Sequence, residues 1–342
     1  YKAYQDKKFI NWADELLHTG TVQNYSVSLS GGTDKTKAYM SMNFSDEKGQ
    51  YRDDNYKVYS TNIRIDNKVN NWFSAGIAIQ GSYVYKNTPF AKLEDAMTAI
   101  PYGDLYDENG NYTTYPVEGD TNYINLLVNN KSNYRGQGQN TKVYINPYIK
   151  ITPFKGFSWE SRINGTLTHS RSNSFTGQGS YNFIKSGGNV ETDTKASTSQ
   201  SNYYRYKWEN ILTYNFNIGK EHNFVVTGVS SYEHGRSEGA TASGIGILNN
   251  SYLWNNLDNA VTRQSSSSYS MSKRMGWMGR INYSYLGRYL ASVSVRHDGD
   301  SRLAKDEKWQ TFPAFSLGWR ISDEKFMEST KNWLDNLKLR VG

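Results

Sequence analysis

The residue types that most often carry out catalysis are scattered along this sequence. Five histidines lie in different predicted elements, without the i,i+4 or H-E-x-x-H spacing that sets two metal ligands on one helix face. They are His18, His169, His222, His234 and His297. Cysteine is absent, which excludes thiolate metal sites and disulfides. We therefore predict no catalytic, cofactor or metal site, with a Ser-His-Asp triad built from distant strands as the alternative that sequence order leaves open.

One polar segment has oxygen ligands at a spacing that resembles a calcium loop. These ligands are Asp104, Asp107, Asn109 and Asn111. No Glu follows at the position that would close such a loop. Asn109-Gly110 is a preferred pair for a tight hairpin turn, so we predict a small hairpin from Tyr106 to Tyr112. The lone Gly244-Ile245-Gly246 has no phosphate-loop context and predicts a flexible loop.

Aromatic side chains in the predicted loops are the remaining binding candidates. Such rings can stack on sugar rings or contact a partner protein, and packing within the loop is the alternative for each of them. The candidates for substrate binding are Tyr102, Tyr106, Tyr112 and Trp254.

The stretch Thr141–Ser170 shows which elements would position these loops. Val143, Ile145 and Ile149 alternate with polar residues, and a turn at 153–156 leads to a second alternating run. Alternation gives each strand one apolar and one polar face. Runs of about ten alternating residues with aromatics near their ends are typical of transmembrane β-barrel walls.

The rest of the chain repeats this hairpin unit. We predict about eleven strands and the start of another, joined alternately by tight turns and long loops. The long loops are predicted near 46–55, 87–140, 171–201, 234–268 and 297–308. Short helices are predicted within 1–20, from Thr88 to Pro101 and from Ser322 to Leu334. One rim of tight turns and one rim of long loops is typical of outer-membrane barrels, in which the long loops are extracellular.

Bulk composition agrees with strands rather than helices as membrane elements. The mean hydropathy of the 342 residues is −0.76, and no stretch reaches the roughly 20 apolar residues of a membrane-spanning helix. The 28 Tyr and 9 Trp would suit aromatic belts at the two membrane interfaces or a glycan-binding surface. The net charge of +7 is spread along the chain without a nucleic-acid recognition motif, so no nucleic-acid partner is predicted.

Two blocks of sequence resemble a known family. The segments Asn11–Glu15 and Gln23–Gly32 are similar to the W-x-D-E and Q-N-x-x-V-S-x-S-G-G motifs at the start of the barrel in SusC-like TonB-dependent outer-membrane transporters. The segments Arg296–Leu303 and Phe312–Ser322 resemble the family's R-x-D-G-S-S-R-F and F-P-S-x-S-x-G-W-R-x-S, with mild departures at Asp300 and Leu303.

The resemblance implies an all-β fold, part of a 22-stranded transmembrane antiparallel barrel in the outer membrane of a Gram-negative bacterium. It implies import of a large nutrient, an oligosaccharide or alternatively a peptide, without a cofactor. The implied partners are a SusD-like surface lipoprotein, outer-membrane lipid, and TonB acting through a plug and N-terminal region. Neither region is recognisable in this sequence, which resembles about the first half of the barrel without its first strand. The two chain ends suggest a piece of a longer protein.

Two further classes stay open from the residues alone. A secreted or surface β-rich glycan-binding or adhesive protein would use the same Tyr and Trp side chains without transport. An outer-membrane hydrolase would need the distant triad described above. In the transporter, polar wall residues such as Lys142, Asn146, Arg162 and Arg280 would face the lumen or the plug.

Overall fold

The chain forms one antiparallel sheet, seen in a computed structural model that describes residues 2–342. Twelve strands pair in sequence order, each with the next along the chain. They are β1 (Thr21–Gly32), β2 (Thr36–Lys48), β3 (Asn55–Lys68), β4 (Phe73–Asn87), β5 (Tyr134–Ile151), β6 (Phe157–Thr176), β7 (Lys195–Ile218), β8 (His222–Ile247), β9 (Ala260–Tyr285), β10 (Tyr289–Asp300), β11 (Trp309–Arg320) and β12 (Lys338–Val341). The all-β meander predicted from alternation is confirmed.

Helices are short and lie in the connections. The α-helices are α1 (Lys2–Gln5), α2 (Trp12–Leu16), α3 (Leu93–Ala96), α4 (Tyr181–Lys185) and α5 (Val190–Asp193). Short 3₁₀ helices occur at Leu126–Val128, Asn250–Tyr252, Leu257–Asn259, Ile321–Asp323 and Lys325–Thr330. Across residues 2–342, every helix is too short or too polar to span a bilayer.

Pairing register divides the sheet into an apolar face and a polar face. On the apolar face, one cross-strand row consists of Leu212 of β7, Gly228 of β8, Gly279 of β9 and Val295 of β10. On the polar face, Arg162 of β6 lies opposite Glu209 of β7. Since side chains alternate along each strand, this register keeps apolar residues together on one side across all the long strands.

Aromatic rings form two rows along the apolar face. Near the tight turns, Phe216 stacks on Phe224 at 5.2 Å and Phe224 lies 4.8 Å from Tyr283. Near the long loops, Trp277 and Trp309 stack at 5.4 Å. Between these rows the face is mainly aliphatic.

The apolar band, with both aromatic rows included, has about the thickness of a bilayer. On β9 it extends from Met275 to Tyr285, which is about 33 Å along a strand at roughly 3.3 Å per residue. With a strand tilt of about 40°, the band is ~25 Å tall, the height expected of a barrel wall. The apolar face therefore has the dimensions of a lipid-facing surface.

The connections differ between the two ends of the sheet. Five of the six connections at the turn rim are tight: 33–35, 69–72, 152–156, 219–221 and 286–288. The sixth, 321–337, is longer and contains two 3₁₀ helices. The connections at the long-loop rim are 49–54, 88–133, 177–194, 248–259 and 301–308. The turn at 152–156 depends on Gly156, whose φ of +86° is unfavourable for residues with a Cβ. Up to β11, tight turns and longer loops alternate along the chain, and 321–337 departs from this alternation.

Two predicted loops are much shorter than expected, because strands occupy much of each segment. The segments predicted as loops at 171–201 and 234–268 are loops only at 177–194 and 248–259. Strands β7, β8 and β9 have 24, 26 and 26 residues because their Ser-, Thr- and Gly-rich ends continue the backbone ladder. The ladder needs only backbone N–H and C=O groups, so polar composition did not end these strands.

Two predicted helices are also corrected. The helix expected from Thr88 to Pro101 is reduced to α3, because the N–H of Phe90 bonds the Arg52 carbonyl and holds this residue outside the helix. The α3 start is fixed instead by the Lys92 N–H, which donates to Asp95. The helix expected from Ser322 to Leu334 is two 3₁₀ turns.

Candidate functional site

Charged side chains on the polar face form ion pairs that run across neighbouring strands. Glu209 of β7 accepts from Arg162 of β6 at 3.2 Å and from Lys207 at 2.7 Å. One level closer to the long loops, Glu233 of β8 pairs with Arg205 at 2.7 Å and with Arg274 at 3.5 Å. These pairs are partly exposed, so each contributes at most about 1 kcal/mol to stability. Their effect is mainly to hold the guanidinium groups in fixed positions.

The ion pairs border an open groove on the polar face. The groove holds about 490 Å³ and is lined by both signs of charge together with hydrogen-bonding side chains. Its polar lining includes Arg205, Lys207, Glu233, Arg274, Arg296, Asp298, Asp300 and Gln310. Arg296 bonds Asp298 at 2.5 Å, and Arg274 bonds Asp300 at 2.8 Å. The groove therefore offers fixed hydrogen-bond donors and acceptors to a polar ligand.

The four wall residues singled out from sequence lie on this polar face. Lys142 and Asn146 belong to β5, on the same side as Arg162 by the β5–β6 register. Arg280 lies opposite Thr227 and Ser294, on the side that carries Arg274. The groove residues could not be predicted from sequence, because alternation gives the polar side of each strand but not the register that brings Glu233 beside Arg274.

The three longest connections pack into one unit at the long-loop rim, here called the loop platform (88–133, 177–194 and 248–259). Its first apolar core joins α2 to the first loop and consists of Trp12, Leu16, Leu105, Leu126 and Leu127. The Trp12 indole N–H donates to the Ile100 carbonyl at 2.9 Å. Helix α2, predicted from Trp12 and Leu16, thus serves to anchor a loop.

Three buried asparagines, Asn125, Asn129 and Asn133, bridge backbone segments within the loop platform. The Asn125 amide donates to the Leu105 carbonyl at 3.0 Å, and its oxygen accepts the Leu127 N–H at 2.9 Å. The Asn129 amide donates to the Phe90 carbonyl at 2.7 Å, and its oxygen accepts the Tyr181 N–H at 2.8 Å.

Asn133 makes a third bridge, from its amide to the Gly179 carbonyl at 2.9 Å. The 88–133 and 177–194 loops are therefore joined by buried hydrogen bonds, whose removal would leave backbone groups unpaired.

The third loop is tied to the second by a reciprocal pair of bonds. The Gln178 N–H donates to the Asn250 side-chain oxygen, and the Asn250 amide donates back to the Gln178 carbonyl, both at 2.9 Å. Below this pair lies a second apolar core of Phe175, Ala196, Ile247, Trp254 and Ala260. The platform is thus preorganised, which lowers the entropic cost of binding a ligand or partner.

The four aromatic candidates differ in the exposure of their rings. Tyr106 and Tyr112 pair across the predicted hairpin with ring centroids 5.1 Å apart, and both rings are exposed. Tyr102 is half-buried and bridges to Phe9. Trp254 is only 7% exposed and packs in the second core, so its ring is far less accessible than those of Tyr106 and Tyr112.

The predicted hairpin at Asp107 needs no calcium ion to explain its acidic residues. Asp107 accepts the backbone N–H groups of Asn109 and Asn111 at 2.9 and 2.8 Å. The hydrogen bond from the Asn111 backbone, followed by others in the same turn, lowers the pKa of Asp107. Among residues 2–342, no three His, Cys, Asp or Glu side chains cluster closely enough to hold a metal ion.

Comparisons with known proteins point to one group of membrane receptors. No family model matches the chain. It is 25% identical over 336 residues to TonB-dependent receptor P26 of Formosa agariphila, covering 97% of this chain and 33% of that protein. It is 26% identical over 371 residues to TonB-dependent receptor SusC of Bacteroides thetaiotaomicron, covering 97% and 34%. The chain therefore spans about a third of the length of these curated relatives.

Solved structures share the fold. The RagAB peptide importer in its open-open state superposes with a TM-score of 0.80 at 20% identity, covering 97% of this chain and 37% of that one. The ferric citrate transporter FecA superposes with a TM-score of 0.51 at 10% identity, covering 89% and 40%. The antiparallel sheet is thus the wall architecture of TonB-dependent barrels.

Proposed function

Because this chain is a SusC-like TonB-dependent receptor segment, we propose that it forms part of a barrel wall through which a large nutrient crosses the outer membrane of a Gram-negative bacterium. The observation that carries the proposal is the division of one sheet into two faces. The apolar face is ~25 Å tall and edged by aromatic rows, as a lipid contact requires. The polar face carries charged and hydrogen-bonding groups, as a hydrated passage requires.

The cargo that we propose first is an oligosaccharide. Charged and amide side chains can form bidentate hydrogen bonds with vicinal hydroxyls, and the exposed Tyr106 and Tyr112 rings provide stacking surfaces. The proposed partners are a SusD-like surface lipoprotein at the long-loop rim and TonB, which would act through parts of the receptor outside this chain. The preorganised loop platform favours a stable protein contact at that rim.

A peptide is the second candidate cargo. The observation in its favour is the charged groove, in which fixed guanidinium groups of Arg205 and Arg274 lie beside the carboxylates of Glu233 and Asp300. Both charge signs complement the termini and side chains of a peptide, whereas a neutral glycan offers hydroxyl groups but no opposite charge to either. RagAB, described as a peptide importer, has the same fold.

Uptake by cells tests the proposal. A strain that lacks the full-length receptor should fail to accumulate labelled oligosaccharide, or labelled peptide if the second candidate holds, and the intact gene should restore uptake. Reversing the charge at position 233 of the groove with Glu233→Lys should lower uptake of a charged peptide more than uptake of a neutral glycan. Recovery of the full-length receptor in the aqueous fraction without detergent would contradict the proposal and favour the secreted adhesive class. Substrate turnover by the purified receptor would favour the hydrolase class.

A further inference from the structure

A cluster of basic and tyrosine side chains lies on the apolar face where β7, β8 and β9 extend beyond the apolar band. We call it the basic–tyrosine patch, and it consists of Tyr204, Tyr206, His234, Arg236, Tyr269 and Lys273. In one cross-strand row, Tyr206 lies opposite His234, and His234 opposite Lys273. In the next row, Tyr204 lies opposite Arg236. Cross-strand neighbours are about 5 Å apart, so the six side chains form one continuous surface.

The charge of this patch differs from the charges on the polar face at the same height. There, Arg274 is neutralised by Glu233 and Asp300. On the apolar face of β2 and β3, Lys57 is paired with Asp46 at 3.1 Å. Within the patch, Arg236 is likewise paired with Glu238, whereas Lys273 forms no ion pair in residues 2–342, so the unpaired charge is that of Lys273. The patch therefore presents an uncompensated positive charge toward the membrane side of the wall.

The tyrosines hold the other basic groups in place. The His234 ring stacks on Tyr206 with centroids 5.6 Å apart. The Arg236 guanidinium lies 5.4 Å from the centre of the Tyr269 ring and also bonds Glu238. A guanidinium fixed over a ring keeps N–H donors available for a second acceptor. Tyrosine hydroxyls beside them supply further donors at the level where headgroups lie.

A depression in the apolar face lies directly below the patch. It has a volume of about 470 Å³, and its apolar lining includes Leu212, Gly228, Trp277, Gly279 and Val295. It exists because Gly228 and Gly279 lie opposite each other and leave the backbone uncovered. From Lys273 to Gly279 is about 20 Å along β9 at roughly 3.3 Å per residue. One elongated molecule can therefore reach both features.

We propose that the basic–tyrosine patch and this depression together bind one phosphate-bearing lipid of the leaflet at the long-loop rim. The phosphate would accept charge-assisted hydrogen bonds from Lys273 and Arg236, and an acyl chain would fill the depression over Gly279. The inference rests on the proposed function, because it requires the apolar face to lie in a membrane. A free phosphate ion would use the basic groups alone and would gain nothing from the depression.

Lipid titration of the full-length receptor in detergent tests the charged half of the site. The probes are a fluorescent phosphatidic acid and a fluorescent phosphatidylcholine with the same chains. Phosphatidic acid should bind more tightly, and the double variant Lys273→Gln/Arg236→Gln should weaken its binding by about tenfold or more. The control Lys142→Gln/Arg280→Gln removes equal charge from the polar face and should leave binding within twofold. Equal weakening by both double variants would overturn the proposal, as would equal binding of the two lipids.

Glycine substitutions test the acyl half. A Cβ added at Gly279 or at Gly31 meets no atom within 4 Å, so a side chain can be introduced at either position without a clash at its Cβ. Gly279→Leu fills the depression and should weaken phosphatidic acid binding by fivefold or more, whereas Gly31→Leu, elsewhere on the apolar face, should not. Competition by millimolar inorganic phosphate, or an unchanged affinity in Gly279→Leu, would overturn the lipid assignment. A receptor in the membrane fraction that lacks lipid preference refutes this inference alone, whereas a receptor soluble without detergent refutes the proposed function.

Discussion

Asn129→Ala should separate the first two loops of the platform. Asn129 is 5% exposed and joins the Phe90 carbonyl to the Tyr181 N–H. Alanine removes both hydrogen bonds and leaves two backbone groups without partners, at about 1–3 kcal/mol each. Because Tyr181 is half-buried and water can reach it, we take the lower end and expect about 2 kcal/mol. At about 1.4 kcal/mol per factor of ten, local opening should increase by roughly 30-fold.

Amide hydrogen exchange measures this opening. The reporter is the Ile184 N–H, which bonds the Ser180 carbonyl within α4 and is not itself a partner of Asn129. Its exchange should accelerate by about 30-fold in Asn129→Ala, whereas amides in the middle of β7 should stay protected. The control Asn122→Ala removes an exposed side chain that bonds only within its own turn at Asp120. If exchange of the Ile184 N–H accelerates less than threefold in Asn129→Ala, or by the same factor in Asn122→Ala, the asparagine bridges do not hold the loops together.

Three further predictions address the platform and the turn rim. Leu127→Ala, at a side chain that is 2% exposed, should cost about 2–5 kcal/mol of local stability and increase proteolysis of the 88–133 loop, with unchanged strand content by circular dichroism. Gly156→Ala should lower the thermal unfolding midpoint of the receptor, because φ is +86° and the added Cβ would lie 2.1 Å from the Asn215 carbonyl oxygen. The pKa of Asp107 is lowered in the folded hairpin. The stabilisation that its carboxylate gives the hairpin is therefore fully present above the ordinary carboxyl pKa of about 4 and is lost as pH falls through the lower folded value. The intrinsic-rate-corrected exchange of the Asn111 amide should therefore be constant from pH 7 to 5 and accelerate below about pH 4, and Asp107→Asn should abolish this pH dependence.

The strands were predictable because alternation is a local property. The Val143–Ile151 pattern and the turn at 153–156 define a hairpin without any knowledge of its neighbours, and the structure confirms it. The ends of β7, β8 and β9 were not predictable in this way. Their Ser- and Gly-rich sequences lack a sustained alternation of apolar and polar residues, and they continue as strands because a neighbouring strand supplies backbone partners.

The site was less predictable than the wall because it depends on register and on tertiary packing. The pairing of Glu233 with Arg274 follows from a β8–β9 register that no turn sequence specifies across such long strands. Trp254 reads as an exposed loop aromatic until Phe175 and Ile247 are seen to enclose it. In the sequence, the three asparagines resemble ordinary polar loop residues, and only their regular spacing of four residues in 125–133 sets them apart.

The distribution of charge agrees with the orientation that places the long loops outside the cell. Residues 88–130 carry seven acidic side chains and one lysine, although the whole chain has a net charge of +7. Glu94, Asp107 and Glu118 in this segment are exposed. An anionic lipid surface repels such a loop within a Debye length of about 8 Å and attracts the basic patch around Lys273. The acidic loop would therefore stand above the lipid headgroups while Lys273 contacts them, and this requires the patch to lie between the apolar band and the platform, as it does along β9.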